Sequence, residues 1–363
     1  MNNANHSSEV VHPGEKIGDF LKFAGMSQRE LALRTGFSEK HVSTVISGNK
    51  DISLAFAKQV ERALGLSANE LMANQVLYDV KKFEEEERNQ ILPDEFQILK
   101  RLKGVALYLI KHNLLRETAD DIDAIVALRD FMGVCNLCKV TEIPYNAAYR
   151  AQVRNNGRVD PYILFAWQQM CEQITKDIKV SAHLDIELLR ANLPAIKRVM
   201  FTDENKVELE LQRIFSECGI AFRIVANFTG APVQGFIKEA RNGRLILCMT
   251  TRQKRQDIFW FTLFHEVAHI FYGDVKHRFV DFDVKSDAEA RADEFSGNVL
   301  LPSEAYREFV MDYNFTKASI IRFAERLGVP EHIVYGRLLR DEYLTYNRNT
   351  VKHLPKYQIL DTA

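Results

Sequence analysis

The chain has 363 residues, 46% hydrophobic and 27% charged, the usage of an ordinary globular protein of two or three domains, which excludes a wholly disordered chain, a collagen-like repeat and a disulfide miniprotein. Its 48 Lys and Arg almost cancel 49 Asp and Glu, so no global charge draws it to nucleic acid or to a membrane. The longest charge-free apolar stretches, near Gly104–Ile110 and Ile258–Phe264, fall well short of the ~18 residues that span a bilayer, and the residues up to Glu9 lack the basic and apolar regions of a secretory signal, so a cytoplasmic protein is expected.

In chain order, Glu15–Ala24 places Ile17, Phe20, Leu21 and Ala24 at helical spacing before Gly25. Ser27 is a natural N-cap, with Glu30 completing a capping-box pattern before Leu31 and Leu33. After Gly36, Ser38 caps a segment carrying Val42, Val45 and Ile46, and Ser53 starts a longer helix with Phe56, Val60 and Leu64 before Gly65. Four or five short helices in residues 14 to about 74 make a compact all-α unit. The middle, from roughly Tyr78 to Val180, reads as helical and poor in distinctive chemistry, and the acidic run Glu84–Glu87 is too short for a binding tail and reads as a solvated face. From Leu184 the texture changes to α+β. A helix over Val207–Cys218 precedes a strand over Ile220–Ala226, and Val233–Ala240 and Arg244–Thr250 flank Asn242-Gly243, which suits a type I′ hairpin. Helical segments follow at Ile258–Tyr272, Asp287–Leu301, Thr316–Leu327 and Glu331–Arg340.

Ile258–Tyr272 is apolar nearly all round, yet holds His265, Glu266 and His269. Asp257 can cap its start. A buried carboxylate is costly unless it is paired, and a bound cation resolves that conflict. His265 and His269, at i and i+4, project from one face of the helix as two ligands of a tetrahedral zinc ion, with Glu266 beside them as general base. In the next helix Ala288, Ala292, Phe295 and Val299 form the expected buried stripe, and Glu289 and Asp293 lie beside it, again at i and i+4. Glu289 would be the third ligand, ahead of Asp293 or Glu294, and Asp293 could hold a ligand histidine through a hydrogen bond. Cys135-Asn-Leu-Cys138 lacks a second pair or a histidine couple, and its apolar neighbours Phe131, Val134 and Leu137 point to buried structural thiols.

Phe259–His269, Glu289–Phe295 and Leu300-Leu301-Pro302 closely resemble the ImmA/IrrE family of metallo-endopeptidases, over roughly Leu184 to Arg340. The resemblance implies a minimal gluzincin with one zinc ion per chain, whose substrate is a helix-turn-helix repressor. No motif position matches an oxyanion-stabilising residue; Tyr272, His277, Tyr306 and Tyr335 are the candidates. Met26–Gly48 has a helix, a Gly-centred turn and a second helix, and resembles the XRE/Cro helix-turn-helix family. With His12-Pro13-Gly14-Glu15 ahead of it, the segment looks particularly like the HigA-type antitoxins. The second helix would lie in the major groove, where Ser38, Lys40, Ser43 and Thr44 can reach DNA, while Gln28, Asn49 and Lys50 suit phosphate contacts.

The expected organisation is therefore multidomain: an all-α helix-turn-helix bundle (1–76), a helical linker region (77–182) and an α+β zincin-like metallopeptidase domain with a small sheet (183–363). The expected partners are an inverted-repeat operator bound by a homodimer and a repressor substrate. In the competing reading the partner is a cognate toxin, and the chain is a non-enzymatic antitoxin whose zinc domain is a scaffold or sensor. Residues 1–76 carry eight Lys and Arg against eight Asp and Glu, so phosphate attraction must come from local placement, and a protein-docking role for the bundle stays open.

Overall fold

The structure is a computed structural model that describes residues 11–143, 159–181, 183–240, 243–252, 254–274, 287–347 and 354–357. His277 and Asn242, named above, lie outside these. The contacts divide the chain between Leu92 and Pro93 into two units.

In the first unit the polar caps set the helix starts. Ser27, Ser38, Ser53 and Ser67 each accept a hydrogen bond from the backbone N–H three residues on, and so begin α2 (Gln28–Thr35), α3 (Glu39–Ile46), α4 (Leu54–Leu64) and α5 (Ala68–Asn89). The first helix, α1 (Pro13–Ala24), starts on a proline, whose missing N–H is no loss in a first turn, and ends at Gly25 in the left-handed region. Ile17, Leu21, Leu31, Val42, Val45, Phe56, Val60 and Leu71 close one core. Of the two leucines after the capped turn, Leu31 is buried and Leu33 is 78% exposed. Gln75, buried on α5, accepts from the backbone N–H of Ile52 and ties the loop after α3 to the last helix.

The second unit opens with α6 (Pro93–Lys111), α7 (Asp121–Met132), a 3₁₀ turn (Leu137–Glu142) and α8 (Pro161–Thr175). Glu95, fully buried, accepts from Arg129 Nε and Nη2 and from the backbone N–H of Leu137, which joins α6, α7 and the turn. The neighbouring thiols differ from expectation: Cys135 is exposed and Cys138 half-buried, because the turn after α7 presents its edge to solvent while Leu137 and Val140 take the interior positions.

Short helices α9 (Ile186–Ala191) and α10 (Leu193–Arg198) lead to α11 (Glu204–Glu217) and then to β1 (Ile220–Val225), β2 (Gly235–Glu239) and β3 (Leu245–Thr250). The sheet order is β1-β3-β2: β3 is parallel to β1 and antiparallel to β2, with Phe236 opposite Cys248. All six residues of β3 are buried, as a central strand covered on both faces requires. On one side α8 seats Trp167 edge-on against Phe236. The rest of the core gathers α11 with α12 (Gln256–Tyr272), α13 (Asp287–Leu300), α14 (Ser303–Met311), α15 (Lys317–Leu327) and α16 (Glu331–Arg340). The protein is thus mostly helical, with one small sheet in its C-terminal half. No helix among the described residues is long and apolar enough to cross a membrane.

Candidate metal centre and DNA-reading helix

The helix α12 begins with Arg255 in the N-cap position and no side-chain cap. Asp257 does not cap it as expected. Instead its carboxylate is buried and accepts both Nε and Nη2 of Arg255, because a guanidinium fork satisfies two oxygens where a backbone N–H satisfies one. Arg255 also donates to the Tyr346 hydroxyl at 2.8 Å.

Just over two turns later, His265 and His269 leave the same face of α12, and Glu289 of α13 meets them. Their ligand atoms lie within 4.8 Å of one another. The two Nε2 atoms are 3.1 Å apart, and Glu289 approaches them at 3.0 and 3.4 Å. Each ring turns its other nitrogen to a carboxylate: His265 Nδ1 to Asp293 at 2.9 Å and His269 Nδ1 to Asp274 at 3.3 Å. With the ring protons on Nδ1, toward these carboxylates, both Nε2 lone pairs point inward alongside the Glu289 oxygens. Three electron-rich atoms so close repel unless positive charge sits among them, and two imidazoles with one carboxylate are a donor set suited to zinc. The same demand raises the proton affinity of His265. Burial disfavours its imidazolium, yet hydrogen bonds to Asp293 and Glu289 outweigh burial and raise its pKa to about 9. Asp293 shifts the other way, to about 2, because the hydrogen bond with His265, helped by Arg340, outweighs burial.

The buried residues of α13 are Ala292, Ser296, Gly297 and Leu300, a stripe rotated from the expected Ala288, Ala292, Phe295 and Val299. Gly297 lies against the Arg337 side chain, where a Cβ would fall 2.6 Å from Nη1, while Phe295 packs onto Phe271 and Tyr272 at the end of α12. That rotation places Glu289 and Asp293 in one row with Ser296 and Leu300, facing α12. Glu294, the alternative ligand, is exposed.

Glu266 is 3% exposed and stands with His265 at the wall of a cavity of about 670 Å³. Pro232, Val233, Ile258, Phe261, Leu164 and Leu339 supply the apolar lining. The start of β2 lies directly on the carboxylate: a Cβ at Gly235 would be 2.5 Å from Glu266 Oε1, so only glycine fits there. Gly336 plays the same part over Asp257, where a Cβ would fall 2.2 Å from Oδ2. Of the oxyanion candidates that are described, Tyr272, Tyr306 and Tyr335 are not among the residues lining this cavity, whereas Tyr346 is. Sequence reasoning missed Asp274, Arg340 and Tyr346, none of which has a local pattern to mark it.

In the first unit, Lys40 and Ser43 stand exposed on α3, as do Gln28 at the start of α2 and Asn49 after the turn. Ser38 is exposed too, but its hydroxyl caps α3, and the Thr44 hydroxyl turns back to the carbonyls of Lys40 and His41. Lys50 donates to Nδ1 of His41, whose ring packs between Phe37 and Phe56. His41, a residue with no pattern to single it out, therefore fixes where the Lys50 charge sits.

Residues 22–71 match the family profile described as a helix-turn-helix, and residues 226–339 match the IrrE N-terminal-like domain of a peptidase family. No curated protein and no solved structure matches the chain. The chain accordingly joins an XRE-type helix-turn-helix, a DNA-binding fold, to an IrrE-like, metallopeptidase-like domain.

Proposed function

We propose that the chain is a DNA-binding regulator carrying a zinc-dependent endopeptidase of gluzincin type, which cleaves a protein partner such as a helix-turn-helix repressor. The reader occupies residues 1–76, a helical stretch 77–182 follows, and residues 183–363 form a zincin-like domain. His265, His269 and Glu289 hold one zinc ion, Asp293 orients His265, and Glu266 is the general base. The observation that carries this reading is the position of Glu266, buried at a cavity wall beside the donor cluster and outside the ligand set. A purely structural metal site needs no such carboxylate, and structural sites are usually closed by four protein ligands. When bound, zinc supplies Lewis acidity toward water and a peptide carbonyl. Glu266 takes the proton from the attacking water and returns it to the leaving amine, while the apolar cavity wall keeps bulk water from the reacting atoms. Such a protein works in the cytoplasm.

Purified without chelators, the protein is expected to contain about one zinc per chain, and His265→Ala to lower this to below ~0.1 while reducing the melting temperature. Metal content unchanged in the variant removes the assignment.

On the DNA side, a homodimer is expected to protect an inverted repeat with half-sites about one helical turn apart. Footprinting of the region upstream of its own gene tests this; Lys40→Ala, Ser43→Ala and Thr44→Ala combined should abolish protection, and protection that survives them means α3 is not the reader. The equal charge counts of residues 1–76 favour a second reading, in which the bundle docks a cognate toxin and the chain acts as an antitoxin. Operator binding and a stable toxin complex without any cleavage would support it.

A further inference from the structure

Each inward-facing histidine belongs to a longer chain of contacts that ends on an arginine. His269 Nδ1 meets Asp274, whose other oxygen faces Arg291 at 3.6 Å. His265 Nδ1 meets Asp293 Oδ1 at 2.9 Å, and Asp293 Oδ2 accepts from Arg340 Nη2 at 2.6 Å. The two arms are unequal: the second is short at both links, and its arginine comes from a different part of the fold. Arg340 lies 47 residues beyond Asp293, in the last turn of α16, a helix whose Ile333, Val334 and Leu338 are buried in the core that also holds α12. Its backbone is therefore fixed by apolar packing that does not involve the metal centre.

We propose that Arg340 is a positioning residue for the metal centre, holding the Asp293 carboxylate in the orientation that keeps His265 Nε2 aimed at the ion. The proposal rests on the reading of His265, His269 and Glu289 as zinc ligands. Asp293 is half exposed, and a carboxylate bonded only to an imidazole can swing about its side-chain torsions and expose His265 to the competing tautomer. A guanidinium on the second oxygen removes that freedom with a charge-assisted bond of fixed direction. The same bond ties α13 to α16. Glu289, one turn before Asp293 on α13, then keeps its place against the histidines. Lysine at this position would supply the charge from a flexible point donor without the planar geometry.

The test measures zinc affinity by competition with a fluorescent chelator, on the full chain, for wild type, Arg340→Met, Arg340→Lys, Asp293→Asn and the Asp293→Asn/Arg340→Met pair. Removing an outer partner of a ligand histidine weakens binding by about 10–100-fold, which is the expectation for Asp293→Asn. Arg340 acts one bond further out and from a half-exposed position, so Arg340→Met should weaken binding by about 5-fold, with Arg340→Lys between it and wild type. In the Asp293→Asn background Arg340→Met should add nothing, because the path through the carboxylate is already broken. Unchanged affinity in Arg340→Met overturns the proposal. So does an equal loss in both backgrounds, which would mean that Arg340 acts through general stability rather than Asp293. Melting of the metal-free forms separates a folding defect, and Arg340→Lys then carries the comparison. If wild type binds zinc no better than His265→Ala, the metal reading itself fails; if only Arg340→Met is indistinguishable from wild type, that reading stands and this inference alone falls.

Discussion

Glu266→Gln is expected to retain metal and fold while lowering cleavage of the partner protein at least ~10²-fold, the lower end of what a general base contributes. Glutamine keeps the length and shape of the side chain that lies against Gly235. It loses the one property the reaction uses, a carboxylate that can accept a proton from water attacking a peptide carbonyl and pass it to the leaving amine. Because Glu266 stands outside the cluster of His265, His269 and Glu289, zinc content should match wild type. The measurement is co-expression with a candidate partner, a helix-turn-helix repressor or a toxin, reading partner fragments on a gel. Equal processing by wild type and variant dismisses Glu266 as the base. Intact partner in both, with a stable complex and normal operator binding, favours the antitoxin reading.

The second large effect concerns the frame behind the cavity. Glu95 and Arg129 are 0% and 5% exposed, so Arg129→Met takes the guanidinium away from a buried carboxylate that also accepts from the Leu137 N–H. Breaking a buried pair in this way costs ~3–5 kcal/mol. At roughly 2–4 °C per kcal/mol for units approaching this size, the melting midpoint of the second unit should fall by ~6–20 °C. The double variant Glu95→Leu/Arg129→Met should recover much of that loss, because it removes the uncompensated charge rather than creating one. A single variant that melts within ~2 °C of wild type would show that solvent reaches the site and screens it. Zinc content should not change in either variant, since neither Glu95 nor Arg129 is among the residues that line the cavity or form the donor cluster.

The elements that announce themselves in this sequence are those governed by neighbours a few residues away. Ser27, Ser38 and Ser53 start helices because a hydroxyl reaches an N–H three residues on, and Gly25, Gly36 and Gly65 end them because each adopts a positive φ. The strands at Ile220, Gly235 and Leu245 follow from short apolar runs, with ends at or within two residues of the expected limits. The HExxH spacing placed two imidazoles on one face of one helix, and the i, i+4 pair Glu289 and Asp293 declared itself in the same way. Each of these is a statement about one helix or one turn.

What joined those helices was decided elsewhere. The buried face of α13 is Ala292, Ser296, Gly297 and Leu300, with Gly297 seated against Arg337 of α16, which the apolar pattern of that helix misreported. Asp257 went to Arg255 rather than to its own helix, since a buried carboxylate is stabilised more by a guanidinium fork than by one amide. The parallel pairing of β1 with β3, the seating of Gly235 on Glu266, and the contact of Arg340 with Asp293 link segments that sequence distance leaves unrelated. The sequence by itself determined the capped helices and the local spacing of His265, Glu266 and His269 and of Glu289 and Asp293, because these are properties of short stretches of chain. Only the tertiary structure decided which carboxylate backs which imidazole and what wall faces Glu266, because those depend on how whole helices and strands pack.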